Sequence, residues 1–281
     1  MPRLGLSWQP NARAQAFASV GTGFRAPAAL ELACADESSP CPLPFALGDD
    51  PPLAPVRVYE GEVGGETSVV RDVRLSATAW RAIARDEIVF VASRTAAGFF
   101  RNVHRTSRSG VELTARGAFA HGLRASASYS WLDSRWESSA QLASANPNAA
   151  PVRSGDPMPL SPAHRATATV GAARLAGRWL LDGELGVRAV SRQRLRGDEA
   201  GQMPPLPGYA TAQLRLAADR GHFGVSASVA NLTGSRASSF GTYGLNAIGV
   251  PGAPPPATPR LERFLTPLTP RTLTVSVAVH R

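Results

Sequence analysis

Apolar and polar residues alternate with a period of two along most of the chain, which is the pattern of β-strands with two different faces. In "LRASASYSW", Leu123, Ala125, Ala127, Tyr129 and Trp131 fall on one side, and an arginine and three serines fall on the other. "VRLSATAW", "SGVELTARGAF", "FGVSASVAN" and "TLTVSVAV" repeat this alternation. The pattern predicts an all-β protein with about eleven strands, at approximately 3–9, 14–24, 56–65, 71–83, 109–119, 122–133, 164–174, 178–190, 208–218, 222–231 and 271–280.

The predicted connections between these strands alternate between short and long. The short ones fall at "GGETSV", "AHGL", "LAGR" and "ADRG", and the long ones cover 25–55, 84–108, 134–163, 191–207 and 232–270. Short periplasmic turns at one end and long extracellular loops at the other are typical of transmembrane β-barrels, whose tilted strands need about 9–11 residues to cross the bilayer. We therefore predict one unit over residues 1–281, an antiparallel transmembrane β-barrel segment with an apolar face towards lipid and a polar face towards a wet lumen.

One short stretch matches a cofactor motif. Gly21-Thr22-Gly23-Phe24-Arg25-Ala26 fits the G-x-G-x-x-G/A pattern of a dinucleotide-binding loop. That loop requires a following helix and a second parallel strand, and the segment "CADESSPCPLPFALGDDPPLAP" is too rich in proline for either. We expect no cofactor, and we interpret the glycines as the point where a strand leaves the sheet for a long loop.

Charge is sparse but strongly basic. Charged residues make up 18% of the chain, all 30 basic residues are arginine, and the formal net charge is +9. Because the arginines are scattered singly, a compositional bias is favoured over a nucleic-acid surface, and no nucleic-acid partner is expected.

The sequence has no run of 18 apolar residues typical of a transmembrane helix, and "MPRLGLSWQPNARAQ" lacks the apolar core of a signal peptide.

Cys34 and Cys41 are the only cysteines and lie in "CADESSPC". This spacing suggests a disulfide-closed loop in an oxidising compartment, with free thiols as the alternative. A metal site would need further ligands, and no histidine lies nearby, so none is expected. The five histidines are far apart in sequence and form no recognised catalytic motif, so the chain is not predicted to be an enzyme.

Eight segments, in order along the chain, resemble the barrel of TonB-dependent outer-membrane receptors. They are "GTGFRAPAALEL", "RVYEGEVGGE", "FFRNVHRTSRSGVELTA", "ASYSWLDS", "PMPLSPAHRATATV", "LPGYATAQLRLA", "VANLTGSR" and "TPRTLTVSVAVHR". The resemblance covers nearly the whole chain. It departs from the family at His280-Arg281, where the closing strand usually ends in an aromatic residue.

The resemblance implies the C-terminal half of a 22-stranded barrel in the outer membrane of a Gram-negative cell. It further implies uptake of a scarce ligand such as a ferric siderophore, with outer-membrane lipid, the TonB system and a plug domain as partners; the sequence encodes no plug domain. A free-standing small pore, a non-functional receptor fragment and a secreted soluble protein that binds polyanions remain as alternatives.

The resemblance places ligand contacts in the long loops and in the lumenal positions below them. Arg25 and Arg101, predicted at strand-to-loop junctions, are candidates for binding an anionic ligand, and pairing with carboxylates of the plug or barrel is the alternative. Asp49 and Asp50 are candidates for weak cation or ligand contacts, or are solvated loop charges.

Overall fold

The computed structural model describes residues 1–36, 53–70, 72–92, 98–142, 144, 146, 148–246 and 259–279. Thirteen β-strands occupy most of these ranges: β1 (Arg3–Asn11), β2 (Ala14–Arg25), β3 (Val56–Val70), β4 (Val73–Ala92), β5 (Gly98–Ala118), β6 (Leu123–Trp136), β7 (His164–Ala176), β8 (Trp179–Val190), β9 (Tyr209–Arg220), β10 (Phe223–Ala230), β11 (Ser238–Asn246), β12 (Arg260–Pro267) and β13 (Thr272–Val279). Helical structure in the described part is limited to α1 (Ala29–Ala33) and a 3-10 turn (Ala120–Gly122). Neither of these helical segments is long and apolar enough to span a membrane.

Eleven strands form one antiparallel sheet in the order β1 to β10 followed by β13, so all eleven predicted strands are confirmed. The connections at one end are short and follow Asn11, Val70, Ala118, Ala176 and Arg220. Three of these turns contain a glycine in the left-handed region, Gly122 at φ 73°, Gly177 at φ 61° and Gly221 at φ 63°, a conformation that glycine adopts without steric cost. The longer connections all lie at the opposite end, as the alternation predicts.

Three predicted connections differ from the structure. "GGETSV" continues as strand to Val70, and the turn lies between Val70 and Val73. The predicted loop 84–108 is mostly paired strand, because β4 and β5 extend to 20 and 21 residues and stay in register as far as Ala92 and Gly98. Within the predicted loop 232–270, β11 and β12 form a separate two-stranded sheet. In the first two cases apolar and β-branched residues continue the strand, beyond Gly64-Gly65 in β3 and beyond Asp86-Glu87 in β4.

One face of the large sheet is apolar and open to its surroundings. A single transverse row of paired residues consists of Trp8, Ala16, Gly65, Ala77, Leu113, Tyr129, Ala166, Ala189 and Ala210. Leu4 is 74% exposed and Val277 is 63% exposed. A soluble sandwich buries one face of each sheet, whereas exposure of such a wide apolar surface fits contact with lipid.

The opposite face carries short polar networks between neighbouring strands. Ser126 and Ser128 form hydrogen bonds of 2.7 Å with Thr169 and Thr167. Arg124 donates to both oxygens of Asp182, at 2.7 and 3.0 Å. These contacts connect polar side chains across strands, and the Arg124–Asp182 pair matches opposite charges. Both features are expected for the wall of a wet lumen.

Most fully buried side chains lie at the long-loop end. One core cluster contains Val91, Phe99, Val103, Trp136, Leu142, Val152 and Met158. A second contains Val56, Ala84 and Ile88, and a third contains Leu195, Leu206 and Tyr243. The extensions of β4 and β5 and the loops after β6 and β8 therefore pack into an ordered cap at this end of the sheet.

Candidate ligand-binding site

The cap forms a half-open cavity of about 670 Å³. Phe90, Phe100 and Trp136 contribute aromatic rings to its lining. The charged residues among the described lining are Glu31, Glu87, Arg108, Arg196 and Glu199. These residues come from α1, from the extended parts of β4 and β5, and from the loop after β8, so the cavity exists only because those segments meet.

Glu87 and Arg108 form a two-point ion pair on the cavity wall. Arg108 donates from Nη2 to Glu87 Oε1 at 2.6 Å and from Nη1 to Oε2 at 3.1 Å. Thr106 also donates to Glu87 Oε2. Two parallel N–H···O bonds fix the guanidinium in one plane, so this pair is a rigid part of the wall with its charges already matched.

A reversal of side-chain direction in β4 makes that pair possible. Up to Arg85 the even-numbered residues of β4, such as Ser76 and Thr78, share the polar face, but the odd-numbered Glu87 reaches the same face of β5. Asp86 lies between them at φ 55°. A left-handed residue interrupts the strand alternation, and aspartate tolerates that conformation better than most residues.

Glu199 is the buried acid of the site, with 6% of its surface exposed. Its Oε1 accepts from the amide of Gly197 at 3.0 Å, and its Oε2 has no hydrogen-bond partner in the described part of the chain. Burial raises the pKa of Glu199 above its ordinary value, because the charged form loses its hydration. The neighbouring Asp198 accepts from the amides of Gln202 and Met203, and burial raises its pKa as well.

Trp136 provides the complementary unpartnered group. Its side chain is 2% exposed, and Nε1 finds no acceptor among the described residues. Arg196 lies nearby with its guanidinium 5.8 Å from the centre of the Phe90 ring, a cation–π distance. The lining residues thus carry a donor and an acceptor that are both shielded from solvent, and they present aromatic surface to the cavity. Together these features suit a compact ring-bearing ligand.

Arg25 and Arg101, the two arginines predicted to bind a ligand, each have a hydrogen-bond partner within the protein. Arg25 Nη1 lies 2.6 Å from Glu31 Oε2, and Glu31 also accepts from the amide of Ala28. Burial opposes ionisation of Glu31, but these hydrogen bonds outweigh it and lower its pKa. Arg101 lies within β5 rather than at a junction, and its Nη1 donates to the carbonyl of Gln141 at 3.2 Å. Neither arginine is among the described residues that line the cavity.

Of the other residues predicted for the site, Cys34 lies within the described ranges. Cys34 is buried and lines the cavity, and its carbonyl accepts from the amide of Phe100 at 2.6 Å. Cys41, Asp49 and Asp50 lie outside the described residues, so the disulfide and the two acidic contacts stay predictions. Across the described ranges, no group of three or more His, Cys, Asp and Glu side chains is arranged to hold a metal ion.

Sequence reasoning missed the residues that build the cavity. Glu87 falls in the predicted loop 84–108, and Trp136 is the last residue of β6, beyond the predicted strand 122–133. Arg196 and Glu199 lie in the loop after β8, where no periodic signal exists. The one available signal was the segment "EIVFVA", whose apolar residues continue the pattern of β4 past Asp86.

Comparison with known proteins identifies the family. The family model described as TonB dependent receptor-like, beta-barrel matches residues 1–232. The chain belongs to the TonB-dependent receptor β-barrel family. No curated protein sequence is similar enough to count as a relative.

Solved structures of TonB-dependent receptors and of a copper transporter share the fold. The ferric yersiniabactin uptake receptor FyuA from Yersinia pestis aligns with a TM-score of 0.69 at 18% identity, over 99% of this chain and 36% of its own. The copper transporter OprC aligns at 0.71 and 16% identity, over 99% of this chain and 38% of its own. The ferric preacinetobactin receptor BauA from Acinetobacter baumannii aligns at 0.62 and 14%, over 99% and 36%. The chain thus spans little more than a third of these structures and forms a partial TonB-dependent receptor barrel.

Proposed function

We propose that this chain forms part of an outer-membrane receptor that takes up a scarce small ligand, such as a ferric siderophore, with energy supplied through TonB. The observation that carries the proposal is the cavity at the long-loop end, with its aromatic wall and its unpartnered donor and acceptor. In this orientation the short turns are periplasmic and the long loops extracellular. The cavity then lies on the side from which the ligand arrives, and a plug domain and TonB complete the transport machinery.

The charges that line the cavity restrict the class of ligand that it can bind. Among its described lining residues, Glu31 is matched to Arg25 and Glu87 to Arg108, which leaves one arginine, Arg196, and one acid, Glu199, outside these ion pairs. A highly anionic chelate would gain little here and would meet the carboxylate of Glu199. The proposed ligand is therefore a compact, ring-bearing chelate of low net charge, rather than one with several uncompensated carboxylates.

Two contacts fix the orientation of such a ligand. Glu199 Oε2 accepts a hydrogen bond from a ligand O–H or N–H, and Trp136 Nε1 donates one to a ligand oxygen. Both groups are already withdrawn from water, so a ligand that satisfies them removes an existing desolvation cost. The guanidinium of Arg196, held against Phe90, supports a flat ring from the side.

Equilibrium dialysis of ferric chelates against the purified full chain in detergent tests the proposal. The probes are a phenolate, a catecholate and a hydroxamate chelate of iron, with a copper salt as a fourth. We expect at least one low-charge ferric chelate to bind, and we expect Trp136→Phe and Glu199→Gln each to weaken that binding by about 5- to 10-fold, the value of one lost hydrogen bond.

Two matched variants control for general damage. Trp8→Phe changes a tryptophan on the apolar face, which is 64% exposed, and Glu112→Gln changes an exposed acid in the middle of β5. Both should bind like the original chain. Unchanged affinity in Trp136→Phe and Glu199→Gln would remove the cavity as the ligand site, and binding of none of the probes would count against uptake of iron chelates and of copper.

A further inference from the structure

Three arginines stand side by side on neighbouring strands at the long-loop end of the apolar face. The sheet register pairs Arg57 of β3 with Arg85 of β4, and Arg85 in turn with Arg105 of β5. Residues paired in this way have Cβ atoms about 4.5–5.5 Å apart, and like charges directly opposite one another destabilise a sheet. This arginine row (Arg57, Arg85 and Arg105) is therefore an unfavourable arrangement unless an anion lies against it.

The described protein residues supply no such anion. None of the three arginines has a carboxylate within ion-pair distance in the described ranges. The closest acid across the strands, Glu137, instead receives the hydroxyl of Ser107 and lies 3.7 Å from Arg81. The Nε of Arg105 is shielded from solvent and has no acceptor in the described part of the chain.

The arginine row contrasts with the polar face, where several arginines have partners. Arg3 lies 2.7 Å from Glu62, and Arg74 lies 3.1 Å from Glu66. Among the described residues, acids therefore lie within ion-pair distance of these arginines on the polar face, whereas no carboxylate lies within that distance of the arginine row.

The position of the arginine row in the sheet indicates which part of the membrane lies against it. Its three arginines share a face with Tyr59, Ile83 and Ser107 one step further into the sheet. Gly61, Arg81 and Ser109 form the next row on this face, and Val63, Ala79 and Val111 form the row after that. The guanidinium of Arg85 lies 5.6 Å from the centre of the Tyr59 ring. Tyrosine is enriched at membrane interfaces and marks the level of lipid headgroups. The row thus lies beyond the long-loop border of the apolar face, across a mixed band with Tyr59, Ile83 and Arg81, at the level of headgroups.

We propose that the arginine row is a binding site for the phosphate groups of an outer-leaflet lipid. Phosphate oxygens accept paired N–H bonds from guanidinium groups, and a lipid headgroup brings them to the same level as the row while its acyl chains cover the apolar residues below. The proposal uses the membrane orientation of the proposed function but does not depend on the transported ligand.

Lipid binding by the full chain tests the site directly. The probes are phosphatidylcholine nanodiscs that contain a minor fraction of bisphosphorylated lipid A, and nanodiscs of phosphatidylcholine alone. We expect the lipid A to be retained by the original chain. The triple variant Arg57→Gln, Arg85→Gln, Arg105→Gln should bind it on the order of 100-fold more weakly, since each basic residue at an anionic surface contributes about a factor of five.

A matched triple variant removes the same charge from the other face. Arg116→Gln, Arg165→Gln and Arg188→Gln change arginines that occupy the polar face of β5, β7 and β8, and this variant should retain the lipid. Equal lipid binding by the arginine-row variant and the original chain would overturn the proposal. Displacement of the lipid by soluble pyrophosphate at the same phosphate concentration would also overturn it, because the site would then bind phosphate from any source.

Thermal stability gives a second, independent readout. Without anionic lipid, removal of three like charges should raise the melting temperature of the arginine-row variant above that of the original chain. With lipid A, the original chain should gain stability and the variant should not. A variant that is less stable than the original chain in phosphatidylcholine alone would show that the row is held by protein contacts and would contradict the proposal. Chelate binding, measured separately, is expected to be equal in both proteins.

Discussion

Among the individual residues of the cavity, Glu199 has the least favourable environment for a charge. Asp198 beside it receives two backbone amides, whereas Glu199 receives the amide of Gly197 on one oxygen and has no described hydrogen-bond partner on the other. A carboxylate that is desolvated and half-satisfied favours its protonated form. Such a group is costly to the fold, and a ligand that completes its hydrogen bonding at the cavity would offset that cost.

This environment predicts a pH-dependent stability that Glu199→Gln reduces. Burial raises the pKa of Glu199 above its ordinary value of 4.5, so the folded chain keeps a proton that the unfolded chain has already lost. Stability from this group is full below pH 4.5 and falls as the pH rises through the higher folded pKa. Thermal unfolding in detergent across this range should show the fall in the original chain and a smaller fall in the variant, where Asp198 still contributes.

Glu112→Gln is the control, because Glu112 is an exposed acid of the polar face, and it should keep the original pH profile. If Glu199→Gln also keeps that profile, the protonation of Glu199 does not change on folding, and the argument for an unfilled acceptor in the cavity fails.

At the scale of the strand, Asp86 couples the sheet to the cavity. Its left-handed backbone at φ 55° brings Glu87 to the face of Thr106 and Arg108. Beyond it, Val91 packs against Phe99 and Val103 in the core of the cap. One residue thus separates the membrane-crossing part of β4 from the part that lines the site.

We expect Asp86→Val to destabilise the cap by about 1–2 kcal/mol, because a β-branched residue is strained in the left-handed region. Asp86→Gly should cost little, since glycine adopts that conformation freely. Limited proteolysis of the loop-end segments, together with thermal unfolding, measures the difference. Equal stability of the two variants would show that the backbone at this position relaxes out of the left-handed region without consequence.

The same elements show what sequence can and cannot predict. Strands β6 and β13 were predicted within a few residues because each alternates apolar and polar positions over its whole length. The far ends of β4 and β5 were not, because the pair Asp86-Glu87 resembles a turn and the alternation changes there. The cavity was not predicted either, because Trp136 at the end of β6 and Glu199 in the loop after β8 line it together only through the packing of the loops, and such packing gives no periodic pattern in the sequence.

At the scale of the whole molecule, the sheet has two edges. In the described ranges β1 pairs only with β2, and β13 pairs only with β10. Both edge strands run from the long-loop end towards the short-turn end, so a direct bond between them would be parallel. Antiparallel closure requires an odd number of additional strands between them. Backbone groups within a bilayer must be paired, so the sheet needs those strands, or another partner, to span a membrane stably.

Hydrogen exchange of the purified chain in detergent tests whether the outer edges of β1 and β13 are unpaired. Amides of β1 and β13 that point away from β2 and β10 should exchange nearly as fast as unprotected amides, because no other described strand pairs with them. Amides in the middle of β6, which has partners on both sides, should exchange on the order of 1000-fold more slowly. Protection of both edges that rises with protein concentration would mean that copies pair edge to edge, the association expected of exposed strand edges. Protection of both edges that is independent of concentration would mean that the sheet closes on itself through a parallel seam, and the parity argument for additional strands would then be wrong.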